Sequence, residues 1–291
     1  MQITDVKVNG MKNPVGFAFD TVRVSWKVRN TEAKAQKQAK IEIAEDKKFQ
    51  NIVMEKEGNL NAASEKVYGA GQSEWHLKPR TRYYIRVMVV NDQGENAVSE
   101  PAYFETAKID EAWNARWITT EEEDKFSPVF AKTFTTETKK LKSARLYISG
   151  LGLFTAYLNG KKIGNEVLTP YYSDYHEEEQ YLTFDVTEGI GEENELEIML
   201  GNGWYKGKFG LAGQSKNFGS KFLLIAELHL AYADGTEQVI MTDDSWTYRG
   251  SDIEENSIYD GEIINHLLWE EKENTEKKAV VADVDMDCKD G

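Results

Sequence analysis

Residues 143–175 read SARLYISGLGLFTAYLNGKKIGNEVLTPYYSDY, and the chain continues as QYLTFDV at 180–186 and ENELEIMLGNGWYKGKFG at 193–210. Apolar side chains recur at Leu146 and Ile148, then at Phe154, Ala156 and Leu158. This is the two-residue period of a strand with one buried face. Asn159-Gly160 follows, a strong hairpin signal, because both residues tolerate the positive φ that a tight turn demands. A further strand, Leu196 to Leu200, runs into Gly201-Asn202-Gly203-Trp204-Tyr205, where rings and an amide stand together at a loop. Such a grouping suits a sugar, whose apolar face stacks on a ring while its hydroxyls meet amides and carboxylates. It equally suits a sandwich that closes its own end with aromatic side chains.

The rest of the chain is patterned in the same way. Val22, Val24, Trp26 and Val28 alternate along one face, Lys40 to Ala44 keeps the period, and residues 83–90 form the clearest strand of the amino-terminal part. Short strands at this spacing predict a seven-stranded antiparallel sandwich over residues 1–107, immunoglobulin- or fibronectin III-like in fold. Trp75, Leu77, Pro79 and Tyr83 resemble the aromatic corner of fibronectin type III modules. The polar, alanine-rich segment Glu32 to Ala39 reads as either a helical turn or a loop. Residues 108–111 are short and polar, a hinge between modules. Residues 112–269 carry longer strands, with Ala233-Asp234-Gly235-Thr236 as a second hairpin connection, and predict a jelly-roll β-sandwich. No 3.6-residue apolar stripe is sustained, so the fold class is all-β. Residues 270–291 form a charged tail in which Val280 to Val284 reads as a strand without a partner, the start of a further module.

Composition narrows the function. At 291 residues, 40% hydrophobic and 29% charged, the chain has the make-up of about two soluble globular domains. A net charge of −15 opposes binding to nucleic acid or an anionic membrane surface, whereas a neutral sugar is indifferent to it. The sequence shows no signal segment and no apolar run of the roughly 20 residues a spanning helix needs, which predicts a cytoplasmic location. Cys288 is alone, so no internal disulfide forms, and His76, His176, His229 and His266 have no metal-ligand spacing. There is no G-x-S-x-G elbow or phosphate loop, and Gly201-Asn202-Gly203 is not followed by a helix. Glycoside hydrolysis needs two carboxylates at a fixed separation, which counting carboxylates does not reveal. Glu177-Glu178-Glu179 reads as a solvated strand edge.

The order of these blocks resembles the amino-terminal, non-catalytic region of bacterial α-L-rhamnosidases. Asn13-Pro14-Val15-Gly16 with Val24-Ser25-Trp26 is similar to the opening of that family's immunoglobulin-like module. Trp113-Asn114-Ala115-Arg116-Trp117-Ile118, Pro128-Val129-Phe130 and Phe134 resemble the entry to its second module, and Tyr259-Asp260-Gly261-Glu262 its closing strand. The resemblance implies an accessory, substrate-positioning or carbohydrate-binding region of an enzyme that hydrolyses terminal α-L-rhamnose. The catalytic residues would lie in a downstream helical barrel, and the region itself would be inactive.

It also implies a site in the second module, where some relatives hold L-rhamnose through calcium. The candidates for the sugar face are Tyr172, Tyr175, Trp204 and Tyr205, with Asp174 and Asn202 on the polar side. Asp174, Asn202 and Glu262 are the candidate calcium ligands. The chain departs from the family pattern at His176-Glu177, where an acidic–amide pair is expected. It departs again at Ile263-Ile264-Asn265-His266, in place of Tyr-Asp-Ala-Arg. The alternatives are a ligand-free structural pair of sandwiches and the accessory region of another glycoside hydrolase.

Overall fold

A computed structural model describes residues 1–121, 126–209, 214–216, 218–268 and 275–282. The chain separates into two compact units, Met1–Ala112 and Trp113–Gly291.

In the first unit, the strands Gln2–Val8, Thr21–Arg29 and Glu65–Gly69 form one sheet. The second sheet runs in the order Val15–Phe17, Ala102–Thr106, Arg82–Asn91, Gln36–Ala44, Ile52–Gly58, with Asn96–Val98 also paired to Arg82–Asn91. The inward residues of both sheets share one core: Val22, Val24 and Trp26 pack with Ile41, Ile43, Ile85 and Val87. Tyr83 accepts a hydrogen bond from the Lys78 backbone N–H at 2.9 Å, and Trp75 packs edge-on against its ring at 5.6 Å. This is the corner that the Trp75–Tyr83 spacing implied. Two expectations change. Nine strand segments replace seven, and Val15–Phe17 runs parallel to Ala102–Thr106. Of the segment Glu32 to Ala39, residues 32–35 are loop and residues 36–39 begin a strand, where Gln36 ties Trp26 to the Leu60 carbonyl through its side-chain amide.

Among the described residues, the second unit is a sandwich of two six-stranded sheets, with two small two-stranded ladders beside it, Lys208–Phe209 with Gln214–Ser215 and Ile253–Ser257 with Gly261–Ile264. Leu182–Asp185, Leu141–Leu151 and Leu223–Tyr232 lie side by side, with Glu237–Met241 and Ile118–Thr119 along the far edge of Leu223–Tyr232. The other sheet runs Lys161–Lys162, Leu153–Leu158, Glu193–Gly201, Pro128–Thr135, Thr247–Gly250, Lys277–Lys278. Between them lie Leu146, Ile148, Leu224 and Leu228 from one sheet and Phe130, Leu158, Ile198 and Leu200 from the other. Asn159 and Gly160 adopt φ of 53° and 74° in the expected turn. Trp246 is fully buried and donates its indole N–H to the Met241 carbonyl at 2.8 Å.

The tail is the main correction. Val280–Val281 pairs with Ile118–Thr119, Lys277–Lys278 pairs with Thr247–Gly250, and Ala279 between them is buried in the core. These residues complete an edge of each sheet, so the strand has partners within its own unit. The tail positions 270–274 and 283–291 lie outside the described residues.

Candidate functional site

The turn after Glu193–Gly201 is built on close backbone approach. Gly203 has φ 53° and packs on Gly152, itself at φ 115°; a Cβ on Gly203 would stand 2.7 Å from the Gly152 carbonyl carbon. Gly201 is not a left-handed residue: it ends the strand opposite Leu153, and its missing side chain makes room for Asn256. The Asn202 carbonyl accepts hydrogen bonds from the N–H groups of Lys206 and Gly207, at 3.0 and 3.3 Å, which closes the turn. Gly210, the expected end of this loop, lies outside the described residues.

This turn splits the predicted site residues between two places. Trp204 and Tyr205 face an aromatic corner, as do Tyr172 and Tyr175 from the loop 171–181. Tyr172 meets Trp204 with ring centroids 6.4 Å apart, and Tyr175 meets Tyr205 at 5.3 Å and Phe218 at 5.0 Å. Beneath them, Tyr175 is buried with Leu151 and Leu223, and Trp204, Tyr205 and Phe218 pack against this cluster. Tyr172 is 44% exposed, the most exposed ring of this corner.

Asn202 points elsewhere. Its backbone N–H donates to Asn256 Oδ1 at 2.7 Å and its Nδ2 donates to the Asn256 carbonyl at 2.8 Å; Asn256 Nδ2 in turn donates to Ser127 Oγ at 2.7 Å. This network forms one wall of a polar cleft of about 620 Å³, with Phe222, Lys206 and Asp260 among its other walls. Lys206 Nζ lies 3.7 Å from the centroid of the Phe222 ring. Lys208 donates to Asp260 at 2.6 Å, which with a bond from Ser257 holds the Asp260 carboxyl below its ordinary range.

The proposed calcium ligands do not form a calcium cage. Asp174 is exposed and accepts the His176 N–H within its own turn. Asn202 Nδ2 donates to the Asn256 carbonyl, and Glu262 is exposed opposite Asn256 in the hairpin Ile253–Ser257/Gly261–Ile264. Among the described residues, no group of three or more His, Cys, Asp or Glu side chains is arranged to hold a metal ion. The six to eight oxygens that calcium takes are not supplied by these residues.

The sequence reading missed two carboxylates. Glu177 and Glu178 are exposed, but they belong to a turn rather than a strand, and Glu179 is half-buried with its carboxyl turned inward. Both its carboxyl oxygens are shielded from solvent and have no hydrogen-bond partner among the described residues; the Tyr175 hydroxyl is in the same state. Burial pushes the Glu179 carboxyl up to about 8, and burial with the neighbouring Glu179 pushes the Tyr175 hydroxyl up to about 12. Apolar neighbours at 175 and beyond were legible; that the loop folds its third glutamate inward was not. Glu227, fully buried in Leu223–Tyr232, accepts the N–H groups of Asn114 and Ala115 and pairs with His229 at 3.0 Å. It pins the segment that enters the second unit. His229 lies 3.0 Å from Glu237 on its other side, a buried strand histidine between two carboxylates.

Comparison with known proteins places this architecture. Residues 139–286 match the model of the α-L-rhamnosidase N-terminal domain, and residues 3–110 match that of the Rha78A-like, N-terminal immunoglobulin domain. An α-L-rhamnosidase of Formosa agariphila is 28% identical over 291 residues, covering 88% of this chain and 30% of that protein. One from Streptomyces avermitilis is 37% identical over 125 residues, covering 43% of this chain and 12% of that protein. The solved α-L-rhamnosidase from Dictyoglumus thermophilum superposes with a TM-score of 0.81 at 26% identity, over 97% of this chain and 34% of that one. The Streptomyces avermitilis α-L-rhamnosidase complexed with L-rhamnose has the same fold over 99% of this chain and 45% of that one, with a TM-score of 0.82 at 17% identity. The chain spans about 30% of the length of the Formosa relative. On the span of these matches, the chain belongs to the α-L-rhamnosidase N-terminal domain family, with a Rha78A-like immunoglobulin domain preceding that domain in the sequence.

Proposed function

We propose that this chain is the accessory amino-terminal region of an α-L-rhamnosidase whose full-length form removes terminal α-L-rhamnose from glycosides. The observation that carries this reading is the order of the two family matches, 3–110 then 139–286, over nearly the whole chain. In this reading the second unit is a jelly roll that positions glycoside substrate for a downstream catalytic barrel. The exposed Tyr172 ring beside Trp204 is the stacking face. Titration calorimetry with L-rhamnose, with and without calcium, tests the binding claim. Saturable binding in the micromolar-to-millimolar range, weakened in Tyr172→Ala, supports it. Absence of binding at both conditions would leave a structural pair of sandwiches, a role favoured by the packing of Trp204 and Tyr205 on the Leu151–Leu223 cluster. Nitrophenyl α-L-rhamnoside incubated with the chain should release no nitrophenol above a buffer blank, and release scaling with protein concentration would overturn the accessory role.

A further inference from the structure

Natural proteins seldom leave a buried polar atom without a partner, and a buried ion without one is costlier still. The second unit leaves three such atoms in one corner: both carboxyl oxygens of Glu179 and the hydroxyl of Tyr175. They lie under the loop 171–181. Within residues 171–181 the backbone bonds are those of one turn, from Glu177 and Glu178 to the Asp174 carbonyl. Two serines fasten its end: Ser173 Oγ donates to the Glu178 carbonyl at 3.1 Å and Ser149 Oγ to the Gln180 carbonyl at 2.7 Å. Ring contacts of Tyr172, His176 and Tyr181 add to these, and the middle of the loop is held by the burial of Tyr175 and of the Glu179 carboxyl against the aromatic corner.

We propose that this loop is a proton-operated cover, closed over the Tyr175–Tyr205–Phe218 corner while Glu179 is a neutral acid and released when Glu179 ionises. A neutral carboxyl tolerates an apolar niche at modest cost, whereas a carboxylate there has no water and no hydrogen bond among the described residues. Among the described residues, no charged neighbour offsets the burial of the Glu179 carboxyl. From its own loop Glu179 faces Tyr175, with Tyr172 beside that ring, and from the Asn202–Gly207 turn it faces Tyr205. The hydroxyls of Tyr175 and Tyr205 are both pushed upward, by burial first and then by Glu179, so neither ionises in the range where Glu179 does. His176, exposed on the same turn, packs its ring 5.3 Å from that of Phe218.

The sign follows from proton linkage. With its closed-state value raised from 4.5 to about 8, Glu179 binds more proton in the closed loop than in the open one. Closure is complete below the ordinary carboxyl range and weakens as pH rises. The opening equilibrium grows by up to about tenfold per pH unit until the closed form itself ionises, and is level above that. Opening uncovers the buried faces of Tyr175 and Tyr205. The cover rests on the geometry of the loop; only its effect on a sugar rests on the proposed carbohydrate role.

Hydrogen exchange of the loop amides, with tryptophan fluorescence as a second readout, should be followed from pH 5 to pH 9.5. After correction for intrinsic exchange, the wild type should lose loop protection progressively toward pH 8 and level off above it. Glu179→Gln, uncharged at every pH, should stay closed throughout, and His176→Gln should behave as wild type. A pH-independent wild type, a transition that survives in Glu179→Gln, or one that disappears in His176→Gln would each overturn the proposal. Thermal melts of both variants at pH 5.5 show whether each is folded; should Glu179→Gln melt early, Glu179→Leu serves in its place. If L-rhamnose binds, its affinity at pH 6 and 8.5 reports whether the cover governs that face. Absence of sugar binding with an intact loop transition would sink the carbohydrate reading and leave the cover standing.

Discussion

Trp204 has two neighbours of different kinds, and they give it two separable roles. Its contact with the Leu151–Tyr175–Leu223 cluster is structural, while its contact with the exposed Tyr172 borders solvent. Trp204→Ala should lower unfolding free energy by about 2–4 kcal/mol, below the upper end of the range for large aromatic truncations because the ring is only half-buried. A urea titration measures this, and an unchanged midpoint would refute the packing role. Tyr172→Ala should leave the midpoint within about 0.5 kcal/mol, the usual span for a surface residue. Glu179 shows the opposite case, a polar residue inside an apolar corner whose effect is read in pH rather than in packing.

At the scale of the element, the carboxyl-terminal strands are the informative case. Lys277–Lys278 and Val280–Val281 are each only two residues long, yet they join opposite sheets of the second unit and place Ala279 in the core between them. Two-residue ladders are marginal by themselves; their contribution comes from covering sheet edges that would otherwise stand open. A chain ending at Glu276 should therefore melt several degrees lower by calorimetry and associate more at high concentration. Equal melting temperatures for the two lengths would show that the edges are closed without these strands. The Asn159-Gly160 turn is the contrasting element, fixed locally by two positive φ angles and indifferent to what lies beyond it.

Taken whole, the molecule has two units divided between Ala112 and Trp113, each with its own hydrophobic core. Brief proteolysis is expected to cut near residues 108–113 and to leave a stable fragment starting close to Trp113. A protease-resistant core that keeps both halves on one piece would argue against independent units.

Strand positions and turns were legible in the sequence because they are local: alternation at Leu146, Ile148 and Phe154 and the φ demands of Asn-Gly involve residues two or three apart. The all-β class followed from them, as did the Tyr83 corner. Partnership was not legible, because a strand's neighbours are chosen over a hundred residues or more. Val280–Val281 looked unpaired until the fold brought Ile118–Thr119 beside it. Burial of charge was hidden for the same reason. A run of three glutamates gives no sign that the turn at Asp174 rotates Glu177 and Glu178 outward and carries Glu179 under Tyr175. The sequence thus determined which segments are strands and where they turn. The tertiary structure alone decided which edges meet and which polar groups lose their water, since both depend on side chains that only folding brings together.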